Sequence, residues 1–285
     1  MVPLSELNRK PPHLTDDRQF ATWFAAIADQ LLNRADFLVA GEPYRFAELE
    51  AYYFGPAHPD PFTHRDPVQY QNGRWYFHRT GGEYRGGTYK GVDLTFGDGT
   101  AMLGVLVRSV VAPSGALIDG PSLTVDHLLA RTGTDSPAGL DAVIAGRRIW
   151  DTTSPLAIRE SESPRAAAVY HTARVGLTLK RARGKPDAPK YVMKPYRYLT
   201  EPRRIKKGMP QLVVALHRQG EDTATIRELT GVPKAAVGRY VADFEAGKAV
   251  PDFARYVGKD LNTPELCKLM GTWAAKYGPA GGGDG

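Results

Sequence analysis

The chain reads as an α+β protein: a curved antiparallel β-sheet with flanking helices, followed by a small all-α C-terminal domain. Two patterns point there. Short runs rich in aromatic and β-branched residues, cut by Gly- and Pro-rich turns, occupy residues 37–111, and apolar periodicity of three to four residues takes over beyond Gly208. With 285 residues and 42% hydrophobic content the chain has material for one large core and a satellite domain, which excludes general disorder.

Pro3, Pro11 and Pro12 mark the start as a loose arm, and Thr15-Asp16 is a helix cap. Phe20, Trp23, Phe24, Ile27 and Leu31 recur at helical spacing and predict an amphipathic helix over 19–33. Strands are expected over 37–39, 44–53, 75–77, 92–96 and 102–111. Behind Gly120-Pro121 a helix covers 122–131, another covers 137–145, and strands return near 149–156 and 169–179. The domains are then 1–205, a helical 206–278, and a Gly-rich tail, 279–285, expected to be disordered.

In the helical domain, 211–219, 223–230 and 234–245 read as helices, the last two joined by Gly231-Val232-Pro233. The pattern resembles resolvase- or regulator-type helix-turn-helix modules. In that reading Ile226, Leu229, Val232 and Val237 form the core, while Lys234 and Arg239 meet DNA at the start of the recognition helix. A plain helical cap on the first domain is the competing account. A last helix, 264–277, puts Leu266, Leu269, Met270 and Trp273 on one face.

A formal charge of +6 favours a polyanionic partner, and its distribution is sharper than its sum. Residues 174–207 hold twelve Lys or Arg against Asp187 and Glu201 alone, so the rest of the chain is slightly acidic. Tyr191, Tyr196 and Tyr198 interleave with these cations, a composition suited to phosphate contact. Arg174, Lys180, Arg181, Lys194 and Arg197 are the candidates, against the alternative of an exposed charged loop. A single cysteine, Cys267, excludes an internal disulfide and any multi-cysteine zinc site. Without a signal-like start or a long apolar run, a cytoplasmic protein with no membrane partner is expected.

Along a strand, alternation sends Glu48, Glu50 and Tyr52 to one face, presenting acids with an aromatic. A carboxylate there suits a general base that holds water against a flat substrate; an exposed strand edge with satisfied acids is the plainer reading. Glu50-Ala51-Tyr52, Gly55-Pro56 and His64 then follow in order, as do Trp75-Tyr76-Phe77-His78, Gly97-Asp98-Gly99 and 102–108 ending in Arg108. Asp119-Gly120-Pro121-Ser122, Ala173-Arg174-Val175-Gly176 and Lys194-Pro195-Tyr196-Arg197-Tyr198 continue the series. Collinear over residues 35–200, these segments resemble the alkyladenine (methylpurine) DNA glycosylases.

The resemblance implies a metal-free and cofactor-free enzyme, a monomer, that kinks duplex DNA, rotates one nucleotide outward and hydrolyses its N-glycosidic bond. Glu50 would orient water and offset oxocarbenium-like charge, and Arg108 would brace Glu50 or hold a phosphate. Tyr52 and His64 match positions that flank the extruded base, and His78 stands where a second tyrosine is usual. Asp93 lies near the place of a pocket asparagine. A wedge must fill the vacated stack, for which Tyr84 and Tyr89 are candidates, with Arg79, Arg85 and Lys90 as DNA contacts beside them.

Gly81, Gly82, Gly86, Gly87 and Gly91 replace the family's aromatic-rich run and permit close approach of a ligand. An acid at 93 accepts rather than donates, which argues against an alkylated purine, and the glycine-opened pocket suits a bulkier base such as a hydroxymethylated or glucosylated cytosine of phage DNA; alkylated or damaged bases are the other substrate class the resemblance implies. A phosphate-loop reading fails because Lys90 precedes Gly91 and no Ser or Thr follows correctly. His58, His64 and His78 with Asp60 or Asp66 fit no standard metal spacing. The alternative to an enzyme is a helix-turn-helix DNA-binding protein carrying an inactive glycosylase-like domain.

Overall fold

The structure is a computed structural model that describes residues 14–278. Residues 1–13 of the expected N-terminal arm and the tail 279–285 lie outside the described residues, whereas the cap Thr15-Asp16 lies within them. The chain divides into two units: residues 1–170 with 196–201, and residues 171–195 with 202–285.

In the first unit, Asp16 starts helix α1 (Asp17–Asp29) through a capping box, accepting from Arg18 N and Gln19 N while Gln19 reaches back to Asp16 N. The helical path then widens into one π turn, Gln30–Arg34, before strand β1 (Ala35–Val39). Strand β2 (Glu42–Gly55) follows, then the short β3 (His58–Pro59) and β4 (Asn72–Phe77). A two-stranded ribbon, β5 (Arg79–Thr80) and β6 (Glu83–Tyr84), leads into β7 (Val92–Phe96), β8 (Met102–Val111) and β9 (Leu117–Asp119). Helices α2 (Pro121–Thr132) and α3 (Pro137–Ile144) precede β10 (Leu156–Glu160); in β11 (Tyr170–Thr172) only Tyr170 belongs to the first unit.

The sheet runs β10-β1-β2-β8-β7-β4, and each of these neighbours is antiparallel. One side of the long β2 is lined by β8. The other is shared by β1, β3 and residues 197–199, which pair with Glu48–Glu50. Alternation gives each strand two faces. Leu49, Ala51 and Tyr53 of β2, Leu103, Val105 and Val107 of β8, Leu94 of β7, and Trp75 and Phe77 of β4 all join one core. Helices cover that face with Phe20, Phe24 and Ile27 of α1, Val125 and Leu128 of α2, and Leu140 and Ile144 of α3. The opposite face carries Glu48, Glu50, Tyr52, Asp93, Tyr76 and Arg108.

The helix predicted over 19–33 and the strands at 92–96 and 102–111 are found where expected. The strand expected over 149–156 begins instead at Leu156, because Ile149 and its neighbours turn beneath Gly73 and Pro155 has no N–H for the ladder. Of 169–179 only Tyr170–Thr172 is extended; turns follow.

In the second unit a single helical turn, α4 (Ala188–Tyr191), precedes β12 (Arg197–Leu199), which belongs to the first unit. Helices α5 (Met209–Arg218), α6 (Thr223–Thr230), α7 (Lys234–Lys248) and α8 (Thr263–Tyr277) follow. Gly231 ends α6 in the left-handed region at φ 71°, and Gly231-Val232-Pro233 joins α6 to α7. Ile226 and Val237 are buried, while Leu229 and Val232 are half-buried. Helices α7 and α8 cross with Gly247 and Gly271 at their contact, and Trp273 donates from Nε1 to the Lys190 carbonyl at 2.8 Å. Among the described residues, no helix is long and apolar enough to cross a membrane.

Candidate active site

Register alone assembles the site. Arg197 pairs with Glu50, Glu50 with Leu106, Leu106 with Asp93, and Asp93 with Tyr76. Opposed residues of antiparallel strands share a face, so these five side chains form one row across β12, β2, β8, β7 and β4. The helix-covered core lies behind them.

At one end of the row, Glu50 is fully buried and accepts from the Tyr52 hydroxyl at 2.7 Å, while Arg108 Nη1 stands 3.4 Å away. Of the two roles expected of Arg108, the brace is the one its geometry serves. A register shift of β2 against β8 at Glu48 and Leu49 accompanies the turn of Arg108 toward the two carboxylates. Arg108 Nε donates to Glu48 Oε1 at 2.8 Å, Arg197 Nε donates to the same oxygen at 2.6 Å, and Ser109 Oγ donates to Glu48 Oε2 at 2.7 Å. Burial opposes ionisation of Glu48, but the charges of Arg197 and Arg108 and the Ser109 hydroxyl outweigh it and hold the carboxyl below its usual range. Burial likewise weighs against the Arg108 charge, and Glu50 and Glu48 reverse it, so Arg108 stays protonated.

At the other end lies a cluster of rings. His64 and His78 meet edge to face with centroids 4.3 Å apart, and His64 Nδ1 lies 3.2 Å from the Tyr76 hydroxyl. Loss of solvent around the inner edge of His64, with the His78 charge beside it, pushes its imidazole down to about 4 despite Asp93. Burial, reinforced by Asp93, raises the Tyr76 phenol, so it keeps its proton. Asp93 Oδ1 lies 2.7 Å from His78 Nε2, and its Oδ2 accepts from Gln69 Nε2 at 3.2 Å. Gly104 makes room for this pair, since a Cβ there would fall 2.5 Å from Gln69 Nε2 and closer still to Asp93.

That arrangement corrects the expectation for Asp93. Its carboxylate is 2% exposed and engaged by His78 and Gln69, so it orients His78 rather than reading the edge of a base. Tyr52 and His78 are half-buried and His64 is exposed, which puts the opening of this face on their side.

The glycine-rich segment separates the two wedge candidates. Tyr84 donates to Asp141 Oδ2 at 2.5 Å, receives Arg79 Nη2 at 2.9 Å and lies under the Arg79 guanidinium. Arg79 also reaches Asp141 at 3.0 Å, so neither side chain is placed as a free DNA contact. Tyr89 instead stands 76% exposed on the turn Gly87–Tyr89. The base of that turn is fastened: Lys90 Nζ donates to Gly87 O at 2.6 Å and pairs with Asp126 at 2.9 Å, and Ser122 Oγ donates to the same carbonyl at 2.9 Å. Lys90 therefore anchors the turn, and Arg85 is half-buried against Thr80.

Several cations expected at phosphates are enclosed. Arg197 has no exposed surface and pairs with Glu48; Arg174 is also fully buried and donates to the Tyr191 carbonyl at 3.1 Å. Lys194 is 6% exposed and lies over the Tyr191 ring. Desolvation of a charge is tolerated only with partners, and these side chains have taken internal ones. Lys180, which pairs with Asp260 at 2.6 Å, and Arg181, Lys234 and Arg239 are exposed.

His58 is a core ring, packed on Phe20 at 4.6 Å, with Nδ1 3.1 Å from Asp17 and Nε2 3.3 Å from the Tyr196 hydroxyl. Among the described residues, no group of three His, Cys, Asp or Glu side chains is placed to hold a metal ion. The sequence reading named Glu48 only as a neighbour on the strand face and missed Gln69; the capping sequence Asp66-Pro67-Val68-Gln69 was the available signal for the latter.

No family model matches the chain. The uncharacterized protein L759 of Acanthamoeba polyphaga mimivirus is 30% identical over 203 residues, spanning 65% of this chain and 89% of the viral protein. The chain belongs to the L759 family. Since 89% of the viral member is covered, the L759 family kinship extends over nearly all of that relative.

Proposed function

We propose that the chain is a monofunctional DNA glycosylase that rotates a modified base out of duplex DNA and hydrolyses its N-glycosidic bond, leaving an abasic site. The observation that carries this reading is the cross-strand row, in which an arginine-braced carboxylate at Glu50 shares one sheet face with a Tyr-His-His cluster. Cleavage builds positive charge on the sugar; a carboxylate that orients water and faces that charge lowers the barrier. Tyr52, His64 and His78 supply flat surfaces for the extruded base. Tyr89, exposed on a fastened turn, is the wedge that fills the vacated stack. The substrates are alkylated bases or hypermodified ones such as glucosylated hydroxymethylcytosine, and the open glycine-rich segment is the feature that admits a bulky group. Exposed Lys234 and Arg239 of the helix-turn-helix take phosphates.

Complete enclosure of Glu50 favours a second reading, a helix-turn-helix DNA-binding protein whose first unit is inactive. One experiment separates them. Wild type and Glu50→Gln are incubated with a panel of alkylated and hypermodified duplexes, and abasic sites are cleaved with alkali. Strand breaks with wild type and none with the variant are expected. Excision that survives the substitution removes Glu50 from its role, and binding without excision on any duplex selects the second reading.

A further inference from the structure

Glu48 sits where the proposed mechanism gives it no task, yet it is the most heavily engaged carboxylate of the site. It is fully buried, and three donors converge on it: Arg108 Nε at 2.8 Å, Arg197 Nε at 2.6 Å and Ser109 Oγ at 2.7 Å. Arg108 is thus shared unequally, its near contact going to Glu48 and its Nη1 standing 3.4 Å from Glu50. We infer that Glu48 is a positioning residue that holds the Arg108 guanidinium back from Glu50, so that Glu50 is braced without being neutralised. The inference rests on the glycosylase reading for its catalytic consequence, though not for its geometry.

The physical argument is one of competition. A guanidinium not held by Glu48 would close on Glu50 in a bidentate pair, the geometry that best matches its fork. A carboxylate so clamped is a weaker base and a poorer acceptor for a water proton. By fixing Nε, Glu48 leaves only a terminal nitrogen to face Glu50. Among the charged and titratable groups that share this face with Glu50 are Arg108 from β8, Arg197 from β12, Glu48 and Tyr52 from β2, and Asp93 from β7 in the same row; Asp119 from β9 reaches Glu48 through Ser109 at 3.2 Å. Removing the Glu48 charge therefore leaves two arginines facing one carboxylate, and the balance tips onto Glu50.

The test compares wild type with Glu48→Gln in two measurements on the full chain. Excision rate as a function of pH is followed on whichever duplex the wild type cleaves. The expected result is a kcat lowered several-fold, a KM within about twofold, and an acid limb moved to lower pH, as general-base behaviour requires. Side-chain 15N–1H NMR of Arg108, assigned by loss in Arg108→Lys, reads the positioning directly: a protected Nε–H signal in wild type that exchanges with solvent or shifts in Glu48→Gln. If that variant does not fold, Glu48→Asp keeps the charge but withdraws it by one methylene, and the same changes are expected with smaller amplitude. A folded variant with the wild-type rate profile and the wild-type Arg108 signal overturns the inference. An altered Arg108 signal in a protein that excises nothing supports the inference about Glu48 while refuting the glycosylase reading.

Discussion

Replacing Gly271 with alanine sets two effects of opposite sign against each other. In an open helix the change is favourable by about 1 kcal/mol, because glycine carries more backbone entropy into the folded state. Here the added Cβ would stand 2.8 Å from Lys248 N, 3.0 Å from the Gly247 carbonyl carbon and closer still to the Phe244 carbonyl oxygen. These are backbone atoms of α7, which cannot swing aside as a side-chain tip does. The Lys248 nitrogen alone requires the helices to part by about 0.6 Å to restore an ordinary 3.4 Å contact, and the carbonyl requires more. Separation also stretches the Thr272 Oγ1 bonds to Gly247 O and Val250 O, which measure 3.1 and 2.9 Å. Overpacking costs about 1–3 kcal/mol, and with only backbone atoms to give way the upper end applies; set against the gain of about 1 kcal/mol from helix propensity, a net loss of about 2 kcal/mol is expected. If the second unit melts by itself, its midpoint falls by about 8–16 °C; if the whole chain melts together, by about 4–8 °C. Thermal unfolding followed by far-ultraviolet circular dichroism checks this, with an exposed glycine-to-alanine change at Gly238 as control. A Gly271→Ala protein as stable as the parent would refute close helix approach as the reason for glycine there.

Two further outcomes are expected. His64 has a folded midpoint of about 4 against 6.5 as its ordinary value, so between those values the unfolded chain binds a proton that the folded chain refuses; stability falls as pH drops through that window, and urea midpoints at pH 7 and pH 5 should differ less in His64→Gln than in wild type. Lys234→Ala with Arg239→Ala should lower the slope of log Kobs against log salt by about 0.9 per lost phosphate contact, read by fluorescence anisotropy on a labelled duplex; an unchanged slope would place DNA contact elsewhere.

Much of the fold was legible because its signals are local. Apolar spacing marked α1, β-branched runs bounded by glycine marked β7 and β8, and Gly231-Val232-Pro233 marked the turn before α7. The strand at Leu156 was displaced in the sequence reading because a proline and a tight turn decide its start, and tertiary pairing with β1 decides its extent. In the site, alternation along β2 already grouped Glu48, Glu50 and Tyr52. What sequence spacing hides is which cation answers which acid. Arg197 meets Glu48 across 149 residues, and from composition alone its charge is indistinguishable from that of a surface arginine. The same limit explains Asp93, whose neighbours Gln69 and His78 come from the 3-10 turn Pro67–Tyr70 and from the link between β4 and β5.

The return of residues 196–201 to the first unit has a consequence for how the molecule is made. Synthesis proceeds from the N-terminus, so β2 is complete long before the segment that lies against Glu48–Glu50 leaves the ribosome. Until then Glu48 lacks one of its two arginines and part of the β2 edge is unpaired, a state prone to wrong partners. Shortened chains ending at residue 170 should inherit that defect permanently, whereas chains reaching residue 201 regain the missing strand.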